Sequence, residues 1–472
     1  MRRAIIRLAA CAALCDLAGA LSPRTSLALG LLLENLARLP GVAAEGMAGA
    51  QAALALGPSA VALNPAGLSR VARSEVLLDA QVIEWTDWNE GTRAASSVRV
   101  ASGAAGWSSG PGRNRPRLGY GVLLGPSQGQ SANPVFLTTA NVTGAALPPN
   151  VAGTLNYDSL FSGGITQSER RETFAQLESF PAMAGFGLRL SDWARAGASM
   201  RVERVSLRLR EILTRDFSAA PSGSPNVLAG YALGSVEYSG SVDRAVLVIG
   251  TQLELAPSIV LGIVARLPSE TLGGAGSVRW ERSEYLLVTQ GGSVLQEASA
   301  RIHAANEAAP FDLRAPGAWR IGLAFLSDST IYALDWERSQ YLAPYTVFPR
   351  VDSQPPSTAA ATFPALRAEG QESSSFAFGA AMALGDRSTV MFGVATLSAA
   401  APPGDPVFRA MTLNRVSGAY YFTSGAASAA FLTSYAAGES PQSVEPITGT
   451  ESAPRPARFT QWSLAFSGGW TY

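Results

Sequence analysis

Between Ala318 and Trp336, large apolar residues alternate with small or charged ones on both sides of a short polar turn. This period of two restricts the chain to paired antiparallel strands more tightly than any other feature of it. Trp319, Ile321, Leu323 and Phe325 alternate with Arg320, Gly322 and Ala324. Ser327-Asp328-Ser329 turns the chain, and Tyr332, Leu334 and Trp336 then alternate with Ile331, Ala333 and Asp335. Successive side chains of a strand point to opposite faces, so one face of this hairpin is apolar and the other largely small or charged.

The same form recurs from about Ser74 onward, with turns at Ser191-Asp192-Trp193, Ala256-Pro257-Ser258, Gly385-Asp386-Arg387 and Thr423-Ser424-Gly425. Asp, Ser, Gly and Pro supply the tight-turn chemistry. The opposite strand ends are joined by long Pro/Ser/Ala-rich segments, chiefly 127–171, 269–316, 339–373 and 438–457. Short turns at one end and long loops at the other mark an outer-membrane barrel of a Gram-negative-type bacterium. A β-sandwich shares the period of two, but loop asymmetry, rim aromatics and irregular strand spacing favour the barrel.

Strand direction can be counted. Eleven strands run from about Phe174 to Tyr472, and Ser74–Glu84, Thr92–Ala104 and Arg117–Pro126 supply three before them. The expectation is an all-β transmembrane antiparallel barrel of about 14 strands, an even number as closure requires. A hairpin hidden within 269–316 would make about sixteen. In the last strand Trp462, Leu464, Phe466, Gly468, Trp470 and Tyr472 share one face, which can meet lipid with aromatics at interface depth. The terminal aromatic resembles the recognition signal read by outer-membrane assembly machinery, which is the expected assembly partner.

Composition removes other classes. Only 15% of the chain is charged against 47% hydrophobic, and beyond the N-terminus no apolar run is long enough for a spanning helix. The 36 basic residues, all Arg, balance 36 acidic ones, so no net field draws nucleic acid or anionic lipid. The chain has one histidine, His303, in a presumed loop, so neither a metal site nor a Ser-His triad is expected. No cofactor and no enzymatic activity are expected.

Residues 1–20 read as an export signal: Arg2 and Arg3, an apolar stretch, then Ala18-Gly19-Ala20 as cleavage site. A second apolar run, Leu27 to Leu33, leaves open a signal extending to about 33 or a first helix, and a buried soluble helix is the alternative to export. Cys11 and Cys15 both lie in this segment, so the exported chain needs no disulfide. Leu8-Ala9-Ala10-Cys11 resembles a lipoprotein box, although its apolar lead is short. Residues 34–73 lack strand periodicity and are rich in Gly and Ala, so they form either a plug folded inside the lumen or a periplasmic linker; the barrel follows as 74–472. Pro65 keeps Asn64 out of the helical region and fixes a bend there.

Gly46-Met47-Ala48-Gly49-Ala50, Pro58-Ser59-Ala60 and Asn64-Pro65-Ala66-Gly67-Leu68 resemble the N-terminal hatch of the FadL family, outer-membrane transporters of long-chain fatty acids and other hydrophobic compounds. Leu313 to Trp336 is similar to that family as well. Where the family usually carries acidic residues before the Ser-Ala pair, this chain has Leu56-Gly57. The resemblance implies passive uptake of a hydrophobic ligand such as a fatty acid past a shifting hatch, with lateral release into outer-membrane lipid. It makes Asn64, Pro65, Ala66 and Gly67 the hatch motif. The same segment also occurs in PorV-like barrels, which implies the alternative of an interaction component of a protein secretion system.

If apolar faces meet lipid, the charges on alternate positions enter the lumen: Arg201, Glu203, Glu254, Arg266, Arg320 and Asp335. One role is a salt-bridge lattice bracing the wall. The other is capture of a ligand head group, with Arg266 or Arg320 offering a bidentate fork to a carboxylate. Gly119 and Gly121 could permit a kink in their strand, or serve packing alone.

Overall fold

The computed structural model describes residues 42–71, 74–88, 91–93, 99–108, 118–124, 128–132, 135–148, 152, 155–161, 164–219, 226–352, 362–363, 365–370, 372–399, 411–444 and 455–471. The export signal expected at 1–20, the run up to Leu33, both cysteines and Tyr472 lie outside these residues.

The chain is an antiparallel β-barrel protein. Its wall strands are β1 (Glu75–Trp88), β2 (Arg99–Ser108), β3 (Leu118–Leu124), β4 (Ile165–Arg189), β5 (Ala194–Ala219), β6 (Val227–Ala256) and β7 (Ile259–Arg266). They continue as β8 (Ala318–Leu326), β9 (Thr330–Ser339), β10 (Ser373–Ala383), β11 (Ser388–Ala399), β12 (Met411–Ser424), β13 (Ala427–Val444) and β14 (Arg455–Thr471). Each strand pairs antiparallel with the next. β14 pairs back onto β1, from Thr471 opposite Glu75 to Phe459 opposite Trp88. Backbone hydrogen bonding therefore passes from strand to strand and returns to its start, which is how a sheet can sit in lipid without an unpaired edge. The partner of Thr471, Glu75, lies four residues after Val71, where the described N-terminal segment ends.

Alternation sorts the side chains as the pattern requires. Tyr120, Val122, Phe186, Met200, Trp319, Ile321, Leu334, Phe378, Val416, Trp462, Phe466 and Trp470 all point outward and are exposed. So large an apolar belt would be untenable in water; facing lipid it is the stabilising surface. Aromatic pairs such as Tyr435–Trp462, with centroids 4.9 Å apart, lie on it.

Two expectations about the loops need correction. Segment 269–316 is no featureless excursion: Glu270–Gln290 and Ser293–Pro310 form a hairpin. It does not enter the wall, because β7 pairs directly with β8 beneath it, Arg266 opposite Ala318 and Ile259 opposite Phe325. The hairpin stands instead on the first part of β6, with Glu270 to Thr289 pairing Ala245 to Val227. Two charges at inward positions, Arg282 and Glu284, break its apolar alternation, and they pair with each other. Segment 127–171 likewise carries strands at Gln128–Ala132 and Val135–Val142, both paired with β4, which itself starts at Ile165.

β4, β5 and β6 are thus 25, 26 and 30 residues long, against the roughly 9–11 a bilayer needs. Their excess rises beyond the membrane as a wall. Its inner face packs on a two-stranded cap, Leu342–Phe348 with Leu366–Gly370, through Tyr238, Val278, Phe311 and Phe348. Phe348 lies 4.9 Å from Phe311 and 5.4 Å from Tyr238, centroid to centroid. In the cap, burial pushes the Tyr345 hydroxyl up to about 12, and it accepts a hydrogen bond from the Arg314 amide at 3.0 Å.

Leu334 faces lipid near the middle of a ten-residue strand. Leu334→Arg should therefore destabilise the barrel in lipid vesicles by about 2–4 kcal/mol, read from denaturant titration. A change near zero would place that face in water.

Candidate functional site

Residues 42–71 have too many small side chains to build a core of their own, and they lie against the inward faces of the strands. The segment comprises α1 (Val42–Gly46), α2 (Ala60–Leu63) and a 3₁₀ turn at Pro65–Arg70. Met47, Ala50, Ala52, Ala53, Ala55, Ala60, Val61, Leu63, Ala66 and Leu68 are all buried. Between α1 and the next turn Ala48 takes φ 51° and Gly49 φ 95°. A left-handed alanine costs about 1–2 kcal/mol, which the surrounding packing must offset.

The wall makes room with missing side chains. Gly119 of β3 pairs with Gly187 of β4, Gly187 with Gly197 of β5, and Gly197 with Gly250 of β6. Gly262 of β7 pairs with Gly322 of β8, and Gly379 of β10 with Gly393 of β11. A Cβ at any of these would fall within 3.0 Å of the N-terminal segment: at Leu68 for Gly119, Pro65 for Gly187 and Gly197, Asn64 for Gly250, Ala52 for Gly262 and Gly322, and Met47 or Ala48 for Gly379 and Gly393. Glycine in a strand interior is unfavourable unless another backbone must come close, and here one does. Gly119 accordingly serves packing.

Polar side chains then satisfy the segment's backbone. Asn64 Nδ2 donates to the carbonyls of Ala52 (2.6 Å) and Thr251 (2.9 Å), and its Oδ1 accepts from the Ala66 amide at 3.1 Å. One buried amide therefore ties two parts of the segment to β6, while Pro65, lacking an N–H, starts the 3₁₀ turn. Ser199 Oγ donates to the Val61 carbonyl at 2.7 Å and Ser417 Oγ to that of Gly46 at 3.1 Å. From β9, Asp335 Oδ2 accepts from the amides of Gln51 (2.9 Å) and Ala52 (2.8 Å). Asp335 is 2% exposed, and the absent side chain of Gly322 leaves space for its Oδ1.

The structure brings the expected lumen residues into three groups. Arg320 Nε donates to Glu337 Oε2 at 2.7 Å, and Arg266 approaches the same carboxylate at 3.8 Å. Asp335 lies two residues away on the same face of β9. Arg201 belongs to a separate cluster in which Glu203, 1% exposed, takes Arg201, Arg244 (2.5 Å) and Ser179 (2.9 Å). Glu254 pairs with Arg195 at 2.7 Å. Arg266, Arg320 and Arg201 thus each have a carboxylate partner. Asn64, Pro65, Ala66 and Gly67 are buried together, over the glycines of β4 to β6; the Gly67 position has no room for a Cβ beside the Ala55 carbonyl. Sequence reasoning missed Glu337, which same-face spacing from Asp335 could have found, and the glycine belt, whose signal was inward glycines at matched strand depth.

No family model matches the chain, and no curated protein does. Solved structures do. A structure titled "CymD monoaromatic hydrocarbon channel" superposes with TM-score 0.54 at 15% identity, covering 92% of this chain and 97% of that one. The Pseudomonas putida toluene transporter TodX gives 0.51 at 15%, covering 92% and 98%. A Pseudomonas aeruginosa FadL homologue gives 0.53 at 12%, covering 91% and 98%. The chain shares their fold. The likeness runs over nearly the full length of each neighbour.

Gly197→Leu would put a side chain where Pro65 and Ala66 run. The barrel should still form, as judged by heat-modifiable gel mobility, while protease cleavage within 42–71 quickens at least about tenfold, the loss expected for roughly 1.4 kcal/mol or more of docking energy. Asp335→Ala would leave two buried amides without acceptors, at about 1–3 kcal/mol each. The segment's midpoint of release in denaturant should fall accordingly; an unchanged midpoint would refute the anchoring role.

Proposed function

We propose that the chain is an outer-membrane transport protein for hydrophobic small molecules, and that residues 42–71 are its hatch. The observation that carries this is the seating of that segment: backbone against an in-register glycine belt, held at Asn64 and Asp335 by a few hydrogen bonds. A plug required only to seal the barrel could be fixed by large interlocking side chains. This one is small-residued and rests on polar contacts, which can exchange one by one. The likeness to hydrocarbon channels and to a FadL homologue supports the same function.

In this proposal a long-chain fatty acid or hydrocarbon enters from the side of the long loops, displaces part of the hatch and leaves sideways into lipid. Lateral exit avoids carrying an acyl chain through water, which costs about 0.8 kcal/mol per CH₂. Arg320 and Arg266, already sharing Glu337, are the pair a carboxylate head group would compete for. A bidentate guanidinium contact compensates an acid best when water is excluded.

Cells expressing the chain should accumulate labelled oleate or toluene several-fold faster than cells lacking it. The double variant Asn64→Ala, Pro65→Ala should change that rate at least twofold while leaving barrel yield intact. Equal uptake with and without the chain would remove the transport function.

A further inference from the structure

Outside the lumen, the risen wall of β4, β5, β6 and the hairpin 270–310 carries a second surface that transport does not use. On its outer face the lipid-facing belt stops abruptly. Val202 of β5 pairs with Ala245 of β6, and Met200 with Leu247, all on the apolar side. The next outward pair is Arg204 with Asp243, joined by two hydrogen bonds of 3.0 and 3.1 Å. Phe180 of β4, exposed and opposite Arg204, stands at the same level as a rim aromatic.

Directly above this line lies an open depression of about 540 Å³. Ser206, Ser239, Ser241 and Ser277 line it, together with the charged Arg208, Glu178 and Glu307. Register places Ser206 beside Ser241 and Ser239 beside Ser277, so the hydroxyls form two successive rows. A row advances by two residues, roughly 6–7 Å along the strand, or about 5 Å in height at the tilt of such barrels. The serines therefore sit on the order of 5–10 Å above the hydrocarbon boundary, the level of lipid head groups.

We propose that this depression docks the saccharide head of an outer-leaflet glycolipid such as lipopolysaccharide. The inference rests on the outer-membrane placement of the barrel but not on its ligand. Four hydroxyls, each donor and acceptor, beside carboxylates that only accept, match the hydroxyls of a sugar. The flanking charges are already neutralised: Arg208 holds Glu237 at 2.7 Å, and Arg279 holds Glu307 at 2.9 and 3.3 Å. A phosphate alone would have to break these pairs, so neutral hydroxyls are the better fit. A protein partner would want an apolar centre, and among the outward residues of this depression only Ala275 is apolar. Higher on the same face Tyr231 and Tyr285 stack at 5.9 Å, with Tyr231 41% exposed, a platform on which the C–H face of a sugar ring can rest. Continuity with the lipid-facing belt determines the source: the sugar arrives on a lipid anchored in the adjacent leaflet.

The test places a photo-crosslinking amino acid at Ser241 of the full chain, and separately at Asp386 on the short-turn rim. Both proteins are inserted into vesicles whose outer leaflet contains rough lipopolysaccharide. Capture of lipopolysaccharide at Ser241 should exceed that at Asp386 at least tenfold, fall on adding free core oligosaccharide, and fall at least fivefold in the variant Ser239→Trp, Ser277→Trp. Heat-modifiable mobility certifies that the variant is folded; a single Ser239→Trp chain serves if the pair is not. An inserted chain with no preference at Ser241, or with capture insensitive to oligosaccharide, overturns the docking site alone. A chain that fails to insert overturns the membrane placement as well.

Discussion

The structure depends on one constraint: a backbone segment can lie flat on the inside of a barrel only where the wall has no side chains and where something else accepts its hydrogen bonds. The in-register glycines from Gly119 to Gly250, with Gly262, Gly322, Gly379 and Gly393 beyond, meet the first condition. Asn64, Asp335, Ser199 and Ser417 meet the second. Neither suffices alone. Side chains at the belt would hold the segment off the wall, and without the polar groups its buried amides and carbonyls would each be unsatisfied, at a cost of about 1–3 kcal/mol.

Charge is used differently on the two sides of the wall. Inside, Glu203 and Glu337 each gather two arginines, and Asp335 is spent on peptide amides. Burial makes such pairs sensitive: removing one partner strands the other in a poorly solvated lumen. Outside, the pairs Arg204–Asp243, Arg208–Glu237 and Arg279–Glu307 are exposed and contribute little to stability. They end the apolar belt sharply.

Much of the fold was legible because a strand facing lipid on one side and a lumen on the other must alternate, and Trp319 to Phe325, Tyr332 to Trp336 and Trp462 to Trp470 do so over their whole length. Short turns around Asp192, Pro257, Asp328 and Asp386 were legible for the same reason: few residues tolerate them. Alternation failed above the membrane. There Arg282 and Glu284 occupy inward positions and satisfy each other, so the hairpin 270–310 reads in sequence as a loop. The candidate site was half legible. Asn64-Pro65 announced a fixed bend, and Asp335 an inward charge, but that the two meet the same stretch, Gln51 and Ala52, follows from registers between residues nearly 300 positions apart. Inward glycines are likewise conspicuous only once strands are aligned.

The central claim is that segment 42–71 moves for a hydrophobic ligand. Hydrogen exchange of the reconstituted chain, followed by mass spectrometry across residues 47–66 while oleate or toluene is titrated in, tests it most directly. A segment that moves for the ligand exchanges faster, including at the Gln51 and Ala52 amides, with wall-strand protection unchanged. Exchange that stays the same at saturating ligand would contradict it and leave the segment a fixed internal brace.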